Sequence, residues 1–205
     1  MKTSDSNSCL ITPARGPVIT PASSGIGLHG RFHVWTTRGG LPSAALVRAD
    51  GSRAYKCDAE NAATTQMLNL IRDIMARLGT NASGPAGGLW TAGPYIGLST
   101  GSIGAASTLA SALNEASGNG YSRQLPTWAA GGTGQWNNTA SAAAFTASGG
   151  NLGGGALAQL FTTPAASGTG SAPNVILMTY ATLSGGPYTV ASGNTLNVTY
   201  TATAS

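Results

Sequence analysis

The sequence predicts a mainly β protein: an antiparallel β-sandwich of jelly-roll type, with one amphipathic helix and an extended N-terminal arm. Three observations lead there. Short β-patterned segments recur through the second half, separated by Gly, Ser, Asn and Pro ("PYIGLST", "GQWNNTASAAAFTAS", "ALAQLFTT", "NVILMTYATL", "GNTLNVTYTAT"), the pattern of an all-β domain. A helical period occurs clearly once, where Met67, Leu68, Ile71, Ile74, Met75 and Leu78 fall on one face. Pro13, Pro17 and Pro21 stand four apart and forbid a regular helix at the start.

Taken in order, residues 1–28 read as the arm. In "GRFHVWTTRGG" (30–40), Phe32, Val34 and Thr36 alternate with Arg31, His33 and Trp35, a strand with one inward face. Asp50-Gly51 sits between β-patterned flanks and predicts a hairpin. Asn61, Thr64 or Thr65 can cap the helix and Gly79 can end it. Residues 79–93 are rich in Gly, Pro and Ala and read as a linker. Residues 102–113 read as loop or a short helix. At the far end Leu196, Val198, Tyr200 and Ala202 face one way; Thr195, Asn197, Thr199 and Thr201 face the other. The expected organisation is an arm (1–28), a strand-hairpin-helix module with its linker (29–93) and a sandwich domain (94–205).

Composition narrows the function classes. Charged residues are 8% and hydrophobic residues 41% of the 205, against about a quarter charged in an average soluble domain. No apolar run nears the roughly 18 residues of a spanning helix, and the hydrophobic content opposes disorder. A neutral, hydroxyl-rich surface suits a protein covered by neighbours in an assembly, because charge is what normally keeps a monomer in solution. The net charge is +4, but the basic residues (Arg15, Arg31, Arg38, Arg48, Arg53, Lys56) are scattered rather than gathered into a nucleic-acid footprint. Direct nucleic-acid binding is not expected. Cys9 and Cys57 lack metal-ligand spacing and read as free thiols of a reducing cytoplasm; the first residues lack the apolar core of a signal peptide.

Several motifs suggest chemistry and fail on context. Gly25, Gly27 and Gly30 satisfy G-x-G-x-x-G, but they run into a β-patterned stretch instead of opening a helix. Pro21 stands where a short-chain dehydrogenase has its first Gly, and Lys2 and Lys56, the only lysines, form no Tyr-x-x-x-Lys. "GLSTG" (97–101) matches a nucleophile elbow, yet both histidines precede it and only Glu115 follows it as an acid. His29 and His33 share a strand face with no Cys, Asp or Glu neighbour in sequence, so no metal site is expected. Paired carboxylates for glycoside hydrolysis are missing from the second half. No catalytic residue, cofactor or metal is predicted.

Beyond Leu78 only Glu115 and Arg123 are charged, both within "NEASGNGYSRQLPTW" (114–128). Gly118 and Gly120 let the backbone turn, while Tyr121, Arg123 and Leu125 share a parity that can face the core. A covered guanidinium needs an acceptor, so Arg123 is expected to contact Glu115 or loop carbonyls and pin the entry to the sandwich.

The same stretch carries a resemblance. Glu115, Gly118, Gly120, Tyr121, Arg123 and Gln124 form Glu-x-x-Gly-x-Gly-Tyr-x-Arg-Gln, similar to a pattern in β-sandwich structural proteins of tailed bacteriophages. There it follows a strand like "YIGLST" and precedes aromatic and Asn/Thr-rich strands (here Trp128, Trp136, Asn137, Phe145) and a closing strand like "TVASGNTLNVTYTAT". The block "GRFHV…RADGSRAYKCDAENAATTQMLNLIRDIM" resembles the opening module of phage head and tail proteins. The resemblance implies a non-enzymatic virion component made in the host bacterial cytoplasm, in first place a capsid decoration (cement) protein. Its implied partners are the major capsid protein or other virion proteins and further copies of itself, a trimer for example, with Pro13, Pro17 and Pro21 in an arm that laces to neighbours. The alternative is a tail, tail-fibre or head-fibre component that adsorbs to a host receptor or glycan, for which Trp90, Trp128, Trp136 and Tyr188 would supply stacking surfaces instead of filling the core.

Overall fold

The computed structural model describes residues 28–64, Met67, 94–109, 114–131, 135–167 and 176–204. The arm with Pro13, Pro17 and Pro21, and the linker, lie outside the described residues, as does the predicted helix apart from Met67. Met67 is buried in the main core, and its N–H donates to Thr64 Oγ1 at 3.2 Å, the bond an N-cap makes three residues on.

The chain is mainly β, and every ladder among the described residues is antiparallel. The strands are β1 (Leu28–Arg38), β2 (Leu41–Pro42), β3 (Leu46–Arg48), β4 (Arg53–Ala54), β5 (Lys56–Ala63), β6 (Tyr95–Ser99), β7 (Ala129–Ala130), β8 (Gln135–Asn137), β9 (Ala143–Thr146), β10 (Gln159–Thr163), β11 (Thr179–Thr182), β12 (Tyr188–Thr189) and β13 (Thr195–Ala204). A long sheet runs β6-β10-β11-β5-β1-β13-β8-β7, with β2 added to β1 and β9 to β13; a small sheet runs β12-β3-β4.

The alternation read in the sequence fixes the centre of the long sheet. Phe32 pairs with Tyr200, Val34 with Val198 and Thr36 with Leu196, and all six are at most 1% exposed. The rings of Phe32 and Tyr200 stack at 4.3 Å. A slip of one residue would turn this whole set to solvent. One hydrophobic cluster gathers Phe32 and Val34, Cys57 and Ala59, Ile96 and Leu98, Phe145, Leu160, Ala181 and Tyr200, plus Leu46 and Tyr188 from the small sheet. A flat sheet cannot bring β6 and β9 to one cluster, so the long sheet curls into a half-barrel around it.

The expected boundary between a 29–93 module and a 94–205 domain is corrected by this arrangement. β5 lies between β1 and β11, and β1 lies between β5 and β13, so the described parts of both segments share one sheet and one core. The boundary follows a fall in charge, and charge here marks only the outer face. Arg31 pairs with Glu60 at 2.9 Å and His33 with Asp58 at 2.8 Å, while the inward residues of β1 and β5 are uncharged and, Thr36 and Asn61 apart, apolar. The arm boundary also moves by one residue, because Leu28 belongs to β1 opposite Ala204. The Asp50-Gly51 hairpin is present: Gly51 has φ +81°, Asp50 Oδ1 accepts the Ser52 N–H at 2.8 Å, and hydrogen bonding from the Ser52 side chain first and its N–H second holds the Asp50 carboxyl below the usual range.

β10 is buried on both faces. Leu160 enters the main cluster; Phe161 enters a second one with Ile103, Leu109, Ala165 and Leu177. Residues 101–109 form no helix. They lie over the outer face of β10, where Ile103 N–H donates to Gln159 Oε1 and Gln159 Nε2 donates to Ile103 O. Phe161 sits over Gly97, where a Cβ would stand 2.2 Å from the ring.

Asn138 mends an interruption in the ladder. β8 and β9 follow one another along the same edge of β13, with Asn137 opposite Thr201 and Ala143 opposite Val198. Residues 138–142 therefore face only Thr199 and Tyr200, and the surplus bulges outward. Asn138, fully buried, donates its N–H to Tyr200 O at 3.1 Å. Its side-chain Oδ1 accepts from Tyr200 N–H, and its Nδ2 donates to Val198 O at 3.2 Å. The carboxamide thus stands in for a missing peptide group. Asn138→Ala leaves that N–H and C=O buried without partners and is expected to cost about 3 kcal/mol in denaturant unfolding. The neighbouring exposed Thr139→Ala should stay within about 0.5 kcal/mol, and equal losses at the two positions would refute the assignment.

Candidate functional site

The motif from Glu115 to Gln124 lies along the free edge of β6. A continuous strand there would pair with β6 throughout. Instead the chain touches it twice, at Glu115 opposite Ser99 and at Gln124 opposite Ile96. Ala116 N–H donates to Leu98 O at 2.9 Å, and Ile96 and Gln124 exchange backbone bonds at 2.8 and 3.0 Å. Between the contacts, residues 117–123 leave the edge as a loop.

Sequence dictates that loop. Gly118, Asn119 and Gly120 all have positive φ, +75°, +51° and +88°, a region that Gly and Asn tolerate best. At Gly120 a Cβ would also stand 2.1 Å from Thr146 O. The loop rests on residues 146–153: Ser148 N–H donates to Asn119 O at 2.9 Å, Asn119 Nδ2 to Asn151 O at 2.8 Å and Ser117 N–H to Gly153 O at 3.1 Å.

The excursion strips Leu98 N–H of a backbone partner, and Tyr121 replaces it. Leu98 N–H donates to the Tyr121 hydroxyl at 3.1 Å, and the hydroxyl donates to Glu115 Oε1 at 2.6 Å. Arg123, on the far side of the loop, forks onto the same carboxylate: Nε to Oε1 at 2.8 Å and Nη2 to Oε2 at 2.7 Å. Its Nη1 donates to Ala165 O at 3.0 Å, and its guanidinium lies 5.6 Å from the Phe161 ring centre. The Arg123 side chain is 2% exposed and that of Glu115 21%. The expected Arg123–Glu115 contact is thus formed, and so is the alternative contact to a loop carbonyl. Burial first, then the adjacent Glu115 carboxylate, pushes the Tyr121 phenol well above its ordinary value, which keeps it a proton donor. Both carboxylate oxygens are engaged, so the arrangement closes the mouth of a loop and leaves no free base in it.

The structure gathers Glu115, Gly118, Gly120, Tyr121, Arg123 and Gln124 into this one loop and its base. Tyr121 packs against the main core, but Leu125 is 39% exposed; the shared parity fails because the segment is not a strand. Sequence reasoning missed Ala165 and Phe161, which come from a distant strand and loop, and Asn119, whose Asn-Gly step is a turn signal. Its other exclusions can be compared directly. Ser99 is fully buried, and its Oγ accepts the Gly101 N–H at 3.1 Å. Gly30 lies within β1, beneath the Tyr200 ring. His33 has an acidic neighbour after all, Asp58 across the ladder, but no group of three His, Cys, Asp or Glu able to hold a metal occurs among the described residues. Burial, with the adjacent Asp58 carboxylate second, pushes the Cys57 thiol up to about 12. Tyr188 is in the core, and Trp128 and Trp136 pack against it; Trp90 lies outside the described residues. No described helix is long and apolar enough to cross a membrane.

No family model, no curated protein and no solved structure matches the chain.

Breaking a buried ion pair by removing one partner is costly because the other charge stays covered. Arg123→Ala is expected to lower stability by about 3 kcal/mol, and Tyr121→Phe by about 1.5 kcal/mol through Leu98 N–H. The double variant should lose less than the sum, as a denaturant double-mutant cycle would show; strict additivity would refute one shared unit. Tyr121 and Tyr200 both have raised values in the fold, chiefly from burial. The unfolded chain therefore loses these protons first, as it does that of Cys57, so stability should begin to fall near pH 9 and fall further above about pH 10. Tyr121→Phe should make that fall shallower in melting curves taken through the alkaline range.

Proposed function

We infer that the chain is a non-enzymatic structural protein of a tailed-phage virion, a capsid decoration (cement) protein that binds and stabilises the shell. The observation that carries this reading is the use made of the Glu-x-x-Gly-x-Gly-Tyr-x-Arg-Gln stretch. Its acid, its base and its phenol are all committed to fixing a loop on a sheet edge, so the segment that resembles phage structural proteins is architectural in this chain too. A second support is the surface. Beyond Leu78 the only charges are the mutually paired Glu115 and Arg123, and the outer face of β13 carries Thr195, Asn197, Thr201 and Thr203. Such a face hydrogen-bonds a neighbouring protein without the desolvation cost of ions.

On this reading the long and small sheets are the two layers of a β-sandwich of jelly-roll type, with Phe32, Leu46, Tyr188 and Tyr200 between them. The partners are the major capsid protein or other virion proteins and further copies of the chain. The adsorption alternative has less support, because Trp128, Trp136 and Tyr188 are occupied against the core.

Cryo-microscopy of virions carrying this protein should show it at regular positions on the head. Density confined to the tail, or absence from purified particles, would overturn the reading. Since β1 begins at Leu28, removing residues 1–27 is expected to leave the melting temperature within a few degrees while abolishing attachment to shells. Wild-type occupancy by the truncated chain would count against the lacing arm.

A further inference from the structure

One corner of the molecule differs from the rest of its surface. The chain passes from the small sheet to the long one through Arg53, Ala54, Tyr55 and Lys56, where β4 ends and β5 begins. Lys56 stands opposite Trp35 on β1. Tyr55 O accepts the Thr36 N–H at 3.3 Å, and Ser43 N–H donates to Thr36 O at 2.9 Å. The β1–β2 turn arrives at the same place, with Arg38 opposite Leu41. Arg53 and Lys56 are three residues apart, at most about 11 Å between Cα atoms, and Arg38 is three residues beyond the partner of Lys56. The backbone therefore brings Arg38, Leu41, Arg53, Tyr55 and Lys56 to one end of the long sheet, Arg38 and Leu41 on the parity of Thr36 and Lys56 on that of Trp35.

These side chains are uncommitted. Leu41 is 71% and Tyr55 64% exposed, the two most exposed large hydrophobic residues described. Arg38, Arg53 and Lys56 are exposed, and among the described residues none makes an ion pair or side-chain hydrogen bond. The other described Arg residues are all engaged: Arg31 with Glu60, Arg48 with Gly185 O, Ser52 and the Tyr188 ring, and Arg123 with Glu115. The nearest acids are spoken for, Asp50 by Ser52 N–H at the hairpin tip and Asp58 by His33. Single exposed apolar residues need no explanation. Two of them near every uncommitted cation described give this end of the sheet positive charge and exposed apolar surface together.

We propose that this corner is a docking surface for an acidic protein segment bearing an apolar anchor, whose carboxylates meet Arg38, Arg53 and Lys56 while its anchor packs between Leu41 and Tyr55. Charge complementarity sets the sign of the partner. The apolar pair sets its class: Tyr and Arg are the side chains on which protein–protein hot spots are built. A phosphodiester strand gains nothing from Leu41, the most exposed member, and among the described residues this corner has no row of stacking rings of the kind that tracks single-stranded nucleic acid. The proposal stands apart from the virion reading.

The test uses the full chain and four probes: an Asp/Glu-rich synthetic peptide carrying one Trp, polyglutamate of equal charge, oligothymidylate, and vesicles of anionic phospholipid. The Trp peptide should bind at least about tenfold more tightly than polyglutamate, and more weakly as salt rises. The double variant Arg53→Glu, Lys56→Glu should weaken it at least about tenfold, and Tyr55→Ser about fivefold, with unchanged melting temperatures because all three residues are exposed. Tighter binding of oligothymidylate or vesicles would overturn the proposal in favour of those partners. Equal binding of polyglutamate, indifference to the substitutions, or no binding by any probe would also overturn it.

Discussion

The pairing of β1 with β13 is the constraint on which the rest of the structure depends. It joins residues 28–37 to residues 195–204 over ten opposed positions, so the described ends of the chain lie side by side at the centre of the long sheet. Every other strand of that sheet is added outward from this ladder. On one side come β5, β11, β10 and β6, with the short β2 added to the end of β1; on the other come β9, β8 and β7. The entropy of closing so long a loop grows only slowly with its length, and the inward row of Phe32, Val34, Leu196, Val198 and Tyr200 meets it with large buried side chains. Strand pairing of such separation places the protein among slowly folding topologies.

Outward from that ladder the strands become short and interrupted, and side chains complete the hydrogen bonding that the backbone leaves open. Asn138 does so in the gap between β8 and β9 along β13, Tyr121 on the free edge of β6, and Gln159 on the outer face of β10. In each case a peptide group buried by its surroundings would otherwise lack a partner. The Glu115–Arg123 pair belongs to the same scheme. It forms no part of the ladder, but it joins the two points at which the chain leaves and regains the edge, and so holds the Tyr121 hydroxyl where Leu98 N–H needs it. A chain rich in Gly, Ala, Ser and Thr has little side-chain volume with which to fix its loops by packing. A fork of two charge-assisted bonds is a compact substitute.

This division explains what the sequence revealed. The strand at 30–38, the strand at 195–204 and the Asp50-Gly51 turn were legible because each is local: alternation and turn chemistry act within a few residues. The Glu115–Arg123 contact was legible for a different reason, since those two residues had no other charged partner in their half of the chain. The single shared core was hidden because the change in composition near Gly79 concerns outward residues only. The mended edges were hidden because an Asn or Tyr that replaces a peptide group looks the same in sequence as one that faces water. Leu125 was misread for a related reason: its parity with Tyr121 has meaning only if the intervening residues are extended, and the loop breaks the count.

The concentration of charge in β1 and β5 has its own physical logic. The inward residues of β5 are Cys57, Ala59, Asn61 and Ala63, all small, so packing alone discriminates weakly between the observed register and one displaced by two residues, which keeps the same face inward. The outer face discriminates. In the observed register Arg31 meets Glu60 and His33 meets Asp58. Displaced one way, Arg31 would meet Asp58 but His33 would meet Lys56. Displaced the other way, His33 would meet Glu60 and Arg31 would face Ala62. Only the native alignment satisfies both pairs. Exposed cross-strand pairs contribute only about 0.2–1 kcal/mol each, too little to hold a fold but enough to rank alignments that are otherwise nearly equal. Later strands need no such code, because Phe161 over Gly97 and Phe145 opposite Leu196 fix their registers by shape. Charge is therefore found on the ladder between β1 and β5, where the inward side chains of β5 are too small to specify the alignment by themselves.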